Sequence, residues 1–213
     1  MVLDILDRDN VDTFIRLARD VTRLHVMILC EGSEDIDTLS ALIKKVNIQL
    51  TQCVGISDCG GVSKLEEFAP IVSMVCRLSK RTDKIVIILD ADTSTPQARV
   101  TALKQSLESH GVDIDNFIQI SDSIYGGTCG RFNFLIKAVG SLNLPFKSHE
   151  MEDYAIQLLM LEKKVKGEQL DGFSKASDFI EEYHKKANQI IEESEESHVE
   201  QAYENILSLL NRL

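Results

Sequence analysis

Apolar runs and polar interruptions divide much of the chain into alternating strands and helices. Residues 25–30 carry no charged residue, Pro or Gly before the Glu31-Gly32-Ser33 turn, which predicts a buried strand. Ser33 can then cap a helix whose Ile36, Leu39, Ile43 and Val46 recur at helical spacing. Residues 48–56 predict the next strand, Asp58-Cys59-Gly60-Gly61 a turn needing positive φ, and residues 63–80 a helix interrupted near Pro70. Residues 85–89, all Ile, Val or Leu, are the clearest buried strand. A helix over residues 96–110 follows, with Val100, Leu103 and Leu107 apolar and Gly111 as its stop, then a strand over residues 117–120. Near the start of the chain, Asp9 or Asn10 can cap a further helix carrying Val11, Phe14, Ile15, Ala18 and Val21.

Past Tyr125-Gly126-Gly127-Thr128-Cys129-Gly130 the pattern loses regularity. Residues 131–139 fit either a last strand or a short helix, 140–150 a loop, and 152–161 a helix opening with two acids. Residues 163–172 predict a polar linker, and 176–191 and 199–210 two amphipathic helices. Alternation of strand and helix predicts an α/β fold with a parallel-rich sheet flanked by helices. The expected organisation is an α/β domain over residues 1–161 with its N-terminal helix, then an acidic helical extension over 162–213. The apolar faces of that extension leave docking onto the sheet and homodimer formation both open, with docking expected.

Charge narrows the functional classes. The 213 residues carry a formal net charge of −11, which argues against a general nucleic-acid coat protein without excluding a nuclease. The imbalance is greatest beyond residue 170, where ten acids face four bases. No apolar stretch approaches the roughly 18 residues of a membrane helix, and the first nine residues bear acids where a signal peptide is basic. A cytosolic protein with no membrane partner is expected. The five cysteines, without C-x-x-C spacing, and the five histidines, without paired-ligand spacing, predict structural or surface roles.

The candidate chemistry lies in two acidic motifs. Glu31-Gly32 directly follows one buried run, and Asp90-Ala91-Asp92 directly follows another. On neighbouring parallel strands they would bring carboxylates to the edge where α/β proteins keep ligands. Clustered anions repel one another without a cation, and a hard divalent ion with oxygen ligands, Mg²⁺ or Mn²⁺, is the natural remedy.

Taken in order, Met27 to Asp35, then Gly60-Gly61-Val62-Ser63-Lys64-Leu65, then Ile87-Ile88-Leu89-Asp90-Ala91-Asp92-Thr93 resemble the Toprim superfamily signature. That signature is a strand ending in Glu-Gly, a Gly-rich turn, and a strand ending in Asp-x-Asp. The chain looks closest to small stand-alone prokaryotic Toprim-like proteins and to the Toprim part of overcoming-lysogenization-defect nucleases. His149-Glu150-Met151-Glu152-Asp153-Tyr154 is similar to their downstream acidic motif, and the resemblance spans residues 24–161. The chain has no ATPase domain, zinc ribbon or tyrosine-bearing topoisomerase domain, so those activities are not expected.

On this reading Asp90 and Asp92 bind Mg²⁺, and Glu31 serves as metal ligand or general acid/base. Asp35 and Glu152 are candidates for a second ion, and two ions about 4 Å apart could clamp a phosphodiester. Plainer roles compete: Asp90 or Asp92 as the cap of the following helix, and Asp35, Glu152 and Asp153 as acids at helix N-termini. Lys64 and Arg131 are candidate phosphate contacts or solvated bases. The expected function is a Mg²⁺-dependent nuclease or related phosphotransfer enzyme acting on nucleic acid. One alternative is a non-catalytic Toprim-like module that binds metal, nucleotide or a protein. Another is a haloacid-dehalogenase-like phosphatase with Asp90 as nucleophile and Asp92 as acid/base. In that family a Thr or Val usually stands where this chain has Ser94, and Glu31-Gly32 would go unexplained.

Overall fold

Six strands form one sheet in the computed structural model, which describes residues 23–78 and 81–213. The helix expected after Asp9 or Asn10 and the end of the 63–80 helix lie outside the described residues. β1 (Val26–Cys30), β2 (Val54–Asp58) and β3 (Lys84–Asp90) alternate with α1 (Ser33–Lys45), α2 (Val62–Leu78) and α3 (Pro96–Ser109). β4 (Asp115–Ser121), β5 (Ile124–Cys129) and β6 (Phe132–Val139) follow, and the sheet order is β2-β1-β3-β6-β5-β4. The first four strands in that order run parallel, β5 runs antiparallel to β6, and β4 runs antiparallel to β5 at the edge. The parallel-rich α/β sheet expected from the alternation is therefore present.

The continuous apolar runs of β1 and β3 follow from burial on both faces, as parallel strands covered by helices require. Val26, Ile28, Val86 and Ile88 point to one core with Leu39 and Leu42 of α1, and Met27, Leu29, Ile85 and Ile87 to the other with Leu65 and Val72 of α2. The chain beyond β6 completes the first core. α4 (Asp153–Leu161) is followed by a 3-10 turn at Gly167–Leu170 and four short helices, α5 (Ala176–Glu182), α6 (Ala187–Glu193), α7 (Glu196–Ala202) and α8 (Glu204–Leu210). Ile190, Ile191, Tyr203, Ile206 and Leu209 are buried in the same cluster as Ile28 and Ile88, so these helices dock on the sheet's helical layer.

Several expected boundaries are corrected. β2 begins at Val54 rather than residue 48, and Ile48 and Leu50 reach the core edge from a non-strand segment. α2 runs through Pro70 without interruption. The 163–172 linker contains the 3-10 turn and buries Val165 and Leu170. Each predicted C-terminal helix is two: the first breaks at Tyr183 to Lys186, where His184 has φ 57°, and the second at Tyr203.

Residues 132–139 are a strand, and a central one, with β5 paired beside it. The glycines that hid β5 have a packing reason. A Cβ on Gly127 would lie 2.6 Å from the Asp115 carbonyl oxygen and 2.6 Å from Ile114 Cγ2. Only glycine admits so close an approach of the preceding chain.

Candidate functional site at the sheet edge

Chain order around β1 decides where a ligand can sit. β1 leads through α1 to β2 on one side, whereas β3 lies on the other side of β1, so the connections diverge at the C-terminal ends of β1 and β3. Such switch points are the crevices in which α/β proteins hold ligands. Cys30 is in register with Ile88, so Glu31 stands level with Leu89, one residue from Asp90. The Asp90 N–H donates to Glu31 Oε2 at 3.3 Å.

Strand alternation then parts the carboxylates. Asp90 continues the parity of Val86 and Ile88 toward α1 and α4, while Glu31 continues that of Met27 and Leu29 toward α3. In place of one trio at 31, 90 and 92 there are two groups meeting at the Glu31–Asp90 contact.

The outer group is Glu31, Asp92 and Arg99. Arg99, one turn into α3, places Nη2 3.2 Å from Asp92 Oδ2 and 3.7 Å from Glu31 Oε2, without a well-aligned hydrogen bond to either. Its Nε donates to the Asp90 carbonyl oxygen at 3.0 Å. Burial raises the Glu31 pKa and Asp92 adds to the rise, against the opposing pull of the Asp90 N–H and Arg99. Asp92 has a left-handed backbone, φ 53°, and exchanges two backbone hydrogen bonds of 2.9 Å with His149. Neither aspartate caps α3. Thr95 does so, accepting from the Ala98 N–H at 3.2 Å.

The inner group is Asp35, Asp90 and Glu152. Asp35 does serve its helix, accepting the Gly32 N–H at 2.9 Å, yet it is also buried. Asp90 Oδ1 accepts the Met151 N–H at 3.1 Å. Burial, reinforced by neighbouring carboxylates, pushes Asp35 up to about 6 and Glu152 up to about 8, and holds Asp90 well above the usual carboxylate range. The like charges acting on Asp90 are Asp35, Glu31, Glu152 and Glu150. Among the described residues, no basic side chain forms an ion pair with Asp35, Asp90 or Glu152.

A pinned loop delivers Glu152. Asp153 Oδ2 accepts the Ser141 N–H at 2.7 Å and pairs with His149 Nδ1 at 2.9 Å, tying both ends of residues 141–153. The Ser177 N–H donates to Glu150 Oε1 at 2.5 Å, and the Lys147 and Ser148 N–H groups donate to the Ser174 carbonyl. Asp153 is therefore a latch rather than a bare helix-terminal acid.

Arg131 is corrected as a phosphate contact. It precedes β6 at the opposite rim of the sheet from Asp90, donating to the Cys76 carbonyl oxygen at 3.0 Å and lying 5.0 Å from the Phe132 ring centroid. Lys64 is exposed near the start of α2, and Gly60 and Gly61 do have positive φ, 69° and 106°. The site residue least visible in the sequence is Arg99. Its one available signal is its place one turn into the helix that follows the Asp-x-Asp motif.

Among the described residues, no three His, Cys, Asp or Glu side chains are arranged to enclose a metal ion as they stand. The chemistry of the donor set still fits a hard cation. Asp35 and Glu152 are buried and Asp90 partly exposed, the three adjoin without a paired base, and Mg²⁺ is satisfied by one or two carboxylates with water completing its octahedron.

Fold and site define an α/β protein with an anionic cluster at the switch point of a mostly parallel sheet. Residues 25–206 match the model of the family described as "Protein of unknown function (DUF3226)", and the chain belongs to that family. No curated protein and no solved structure is significantly similar to it. Among the described residues, no helix is long and apolar enough to cross a membrane.

Proposed function

We propose that the protein is a Mg²⁺- or Mn²⁺-dependent phosphodiester hydrolase of Toprim-like type, with Asp90 and Glu152 as metal ligands and Asp35 beside them. The observation that carries this reading is the inner trio, buried Asp35 and Glu152 beside the partly exposed Asp90, with no paired base among the described residues. A bound divalent ion would supply Lewis-acid stabilisation of charge on a phosphoryl oxygen. The chain's own residues do the rest. The Met151 N–H orients Asp90 Oδ1, the His149–Asp153 latch fixes the loop bearing Glu152, and Arg99 steadies Glu31 and Asp92. Glu31, beside the Asp90 backbone and facing Asp92, is placed to accept the proton of an attacking water. The water oxygen bonds to phosphorus, the bond to the leaving oxygen breaks with its electron pair, and that oxygen takes up a proton.

Divalent-metal-dependent cleavage of a phosphodiester, abolished in Asp90→Asn and in Glu31→Gln, is the expected result. An Asp90→Asn protein that keeps its activity would end this reading. A non-catalytic binding module is the second reading, favoured by Arg99, whose guanidinium already lies between the two outer carboxylates. Saturable metal binding without turnover on any phosphodiester would select it.

A further inference from the structure

β4 ends the sheet, and among the described residues its outer side pairs with no other strand. One of its faces is occupied. Phe117 stacks on Tyr125 with ring centroids 6.0 Å apart, and Lys104 of α3 lies 5.7 Å from the Phe117 ring. The other face is bare. Ile118 stands level with Gly126, Ile120 leans over the same glycine, and the two isoleucines are 65% and 40% exposed. The cluster formed by α1, α4 and the C-terminal helices takes in Ile124 and Leu135 and neither isoleucine of β4. Edge strands are commonly guarded against pairing by Lys, by Pro or by inward-pointing charge. From Asn116 to Ser121 there is no charged residue and no Pro, and the two irregularities in the β4–β5 register bring neither.

We propose that this edge takes a second copy of the chain, the two β4 strands pairing antiparallel about a two-fold axis so that both sheets become one. A strand paired with its own copy is self-complementary, as a closed dimer requires. The side chains choose the register. With Gln119 opposite Gln119 of the partner subunit, Ile118 meets Ile120 of the partner subunit and Ile120 meets Ile118 of the partner subunit, so the exposed isoleucines cover one another on one face. The same register sets the edge carboxylates against neutral donors: Asp122 stands level with Asn116 of the partner subunit, and Asp115 with Ser123 of the partner subunit. No like charges are opposed. Moving the axis to Ile118 would set Ile120 against Asn116, and moving it to Ile120 would set Ile118 against Asp122. The C-terminal helices do not supply this interface, because their apolar faces are buried in the first core. A seven-residue edge is about 24 Å long, so the contact is small and the dimer exchanges with monomer.

Sedimentation equilibrium of the full chain across the micromolar range tests the association, beside the exposed-site variant Ile118→Lys. Expected are a reversible shift from monomer to dimer mass, and a dissociation constant raised about tenfold or more in Ile118→Lys, because the axis brings two lysines into one small contact. The urea midpoint of the dilute variant should match that of the parent, since position 118 is exposed. Disulfide trapping reads the register in a Cys53→Ser background, which removes an exposed thiol. Gln119→Cys should form a covalent dimer on mild oxidation, because directly opposed residues lie about 4.5–5.5 Å apart at Cα. Asn116→Cys should not, its two copies being about 20 Å apart along the paired strands. A chain that stays monomeric throughout leaves the edge to a strand of another protein and overturns the proposal. A dimer of unchanged affinity in Ile118→Lys, or one trapped by Asn116→Cys and not by Gln119→Cys, overturns it as well.

Discussion

Replacing Glu152 with Gln removes a titratable carboxyl from the inner trio while keeping the side chain's shape, and its effect on stability should depend steeply on pH. In the folded protein the Glu152 carboxyl is pushed from its ordinary value near 4.5 up to about 8, first by burial and then by Glu150 and Asp35. A carboxyl whose folded pKa lies above its unfolded one binds protons more tightly in the native state. Its stabilising contribution is complete below about 4.5 and is lost as pH rises through about 8. At about 1.36 kcal/mol per tenfold in proton affinity, the loss between these limits is on the order of 4 kcal/mol, a large share of the roughly 5–15 kcal/mol that holds a domain folded. The assay is urea denaturation of the metal-free protein in EDTA at pH 5 and pH 8. Glu152→Gln should gain stability over the parent by about 3 kcal/mol on going from pH 5 to pH 8. Parallel pH profiles for the two proteins would refute the claim that Glu152 is a buried carboxyl without a counter-charge.

In metal-free protein at neutral pH, Arg99→Ala should cost roughly 1–3 kcal/mol by urea denaturation, because Glu31 and Asp92 lose their cation and the Asp90 carbonyl its donor. Saturating Mg²⁺ should recover part of that loss. Ile88→Ala, which empties a fully buried position one turn of the pleat before Asp90, should destabilise by about 2–5 kcal/mol in the same assay. Gly140 has φ 116°, and a Cβ there would lie 2.6 Å from His149 Cβ and 2.8 Å from its carbonyl carbon. Gly140→Ala should therefore displace the acidic loop, costing roughly 1–3 kcal/mol and weakening Mn²⁺ affinity measured by calorimetry.

What could be read from the sequence was whatever depends on local pattern. Ile85 to Leu89 and the run before Glu31 have no polar positions, which only a strand covered on both faces tolerates, and Gly111 does stop α3. What escaped depends on contacts distant along the chain. β5 looks like a loop because Gly126 and Gly127 make room for Ile120 and Asp115, a demand visible only once β4 lies across them. The breaks at His184 and Tyr203 fall inside sequences that are amphipathic throughout, so period alone joins them. The motifs named Glu31, Asp35, Asp90, Asp92 and Glu152, but not their division. That division follows from a one-residue offset in register, which sends Asp90 to α1 and Glu31 to α3, and from Arg99, whose role appears only when α3 packs over β6 and beside α2 with its first turn near Glu31 and Asp92.

Crystals soaked in Mn²⁺ and measured for anomalous scattering would show whether the inner carboxylates hold a cation. At least one Mn²⁺ peak is expected within coordination distance of Asp90 and Glu152, with Asp35 beside it. A well-ordered crystal showing these three carboxylates with no Mn²⁺ between them, at Mn²⁺ concentrations that occupy other sites on the protein, would contradict it.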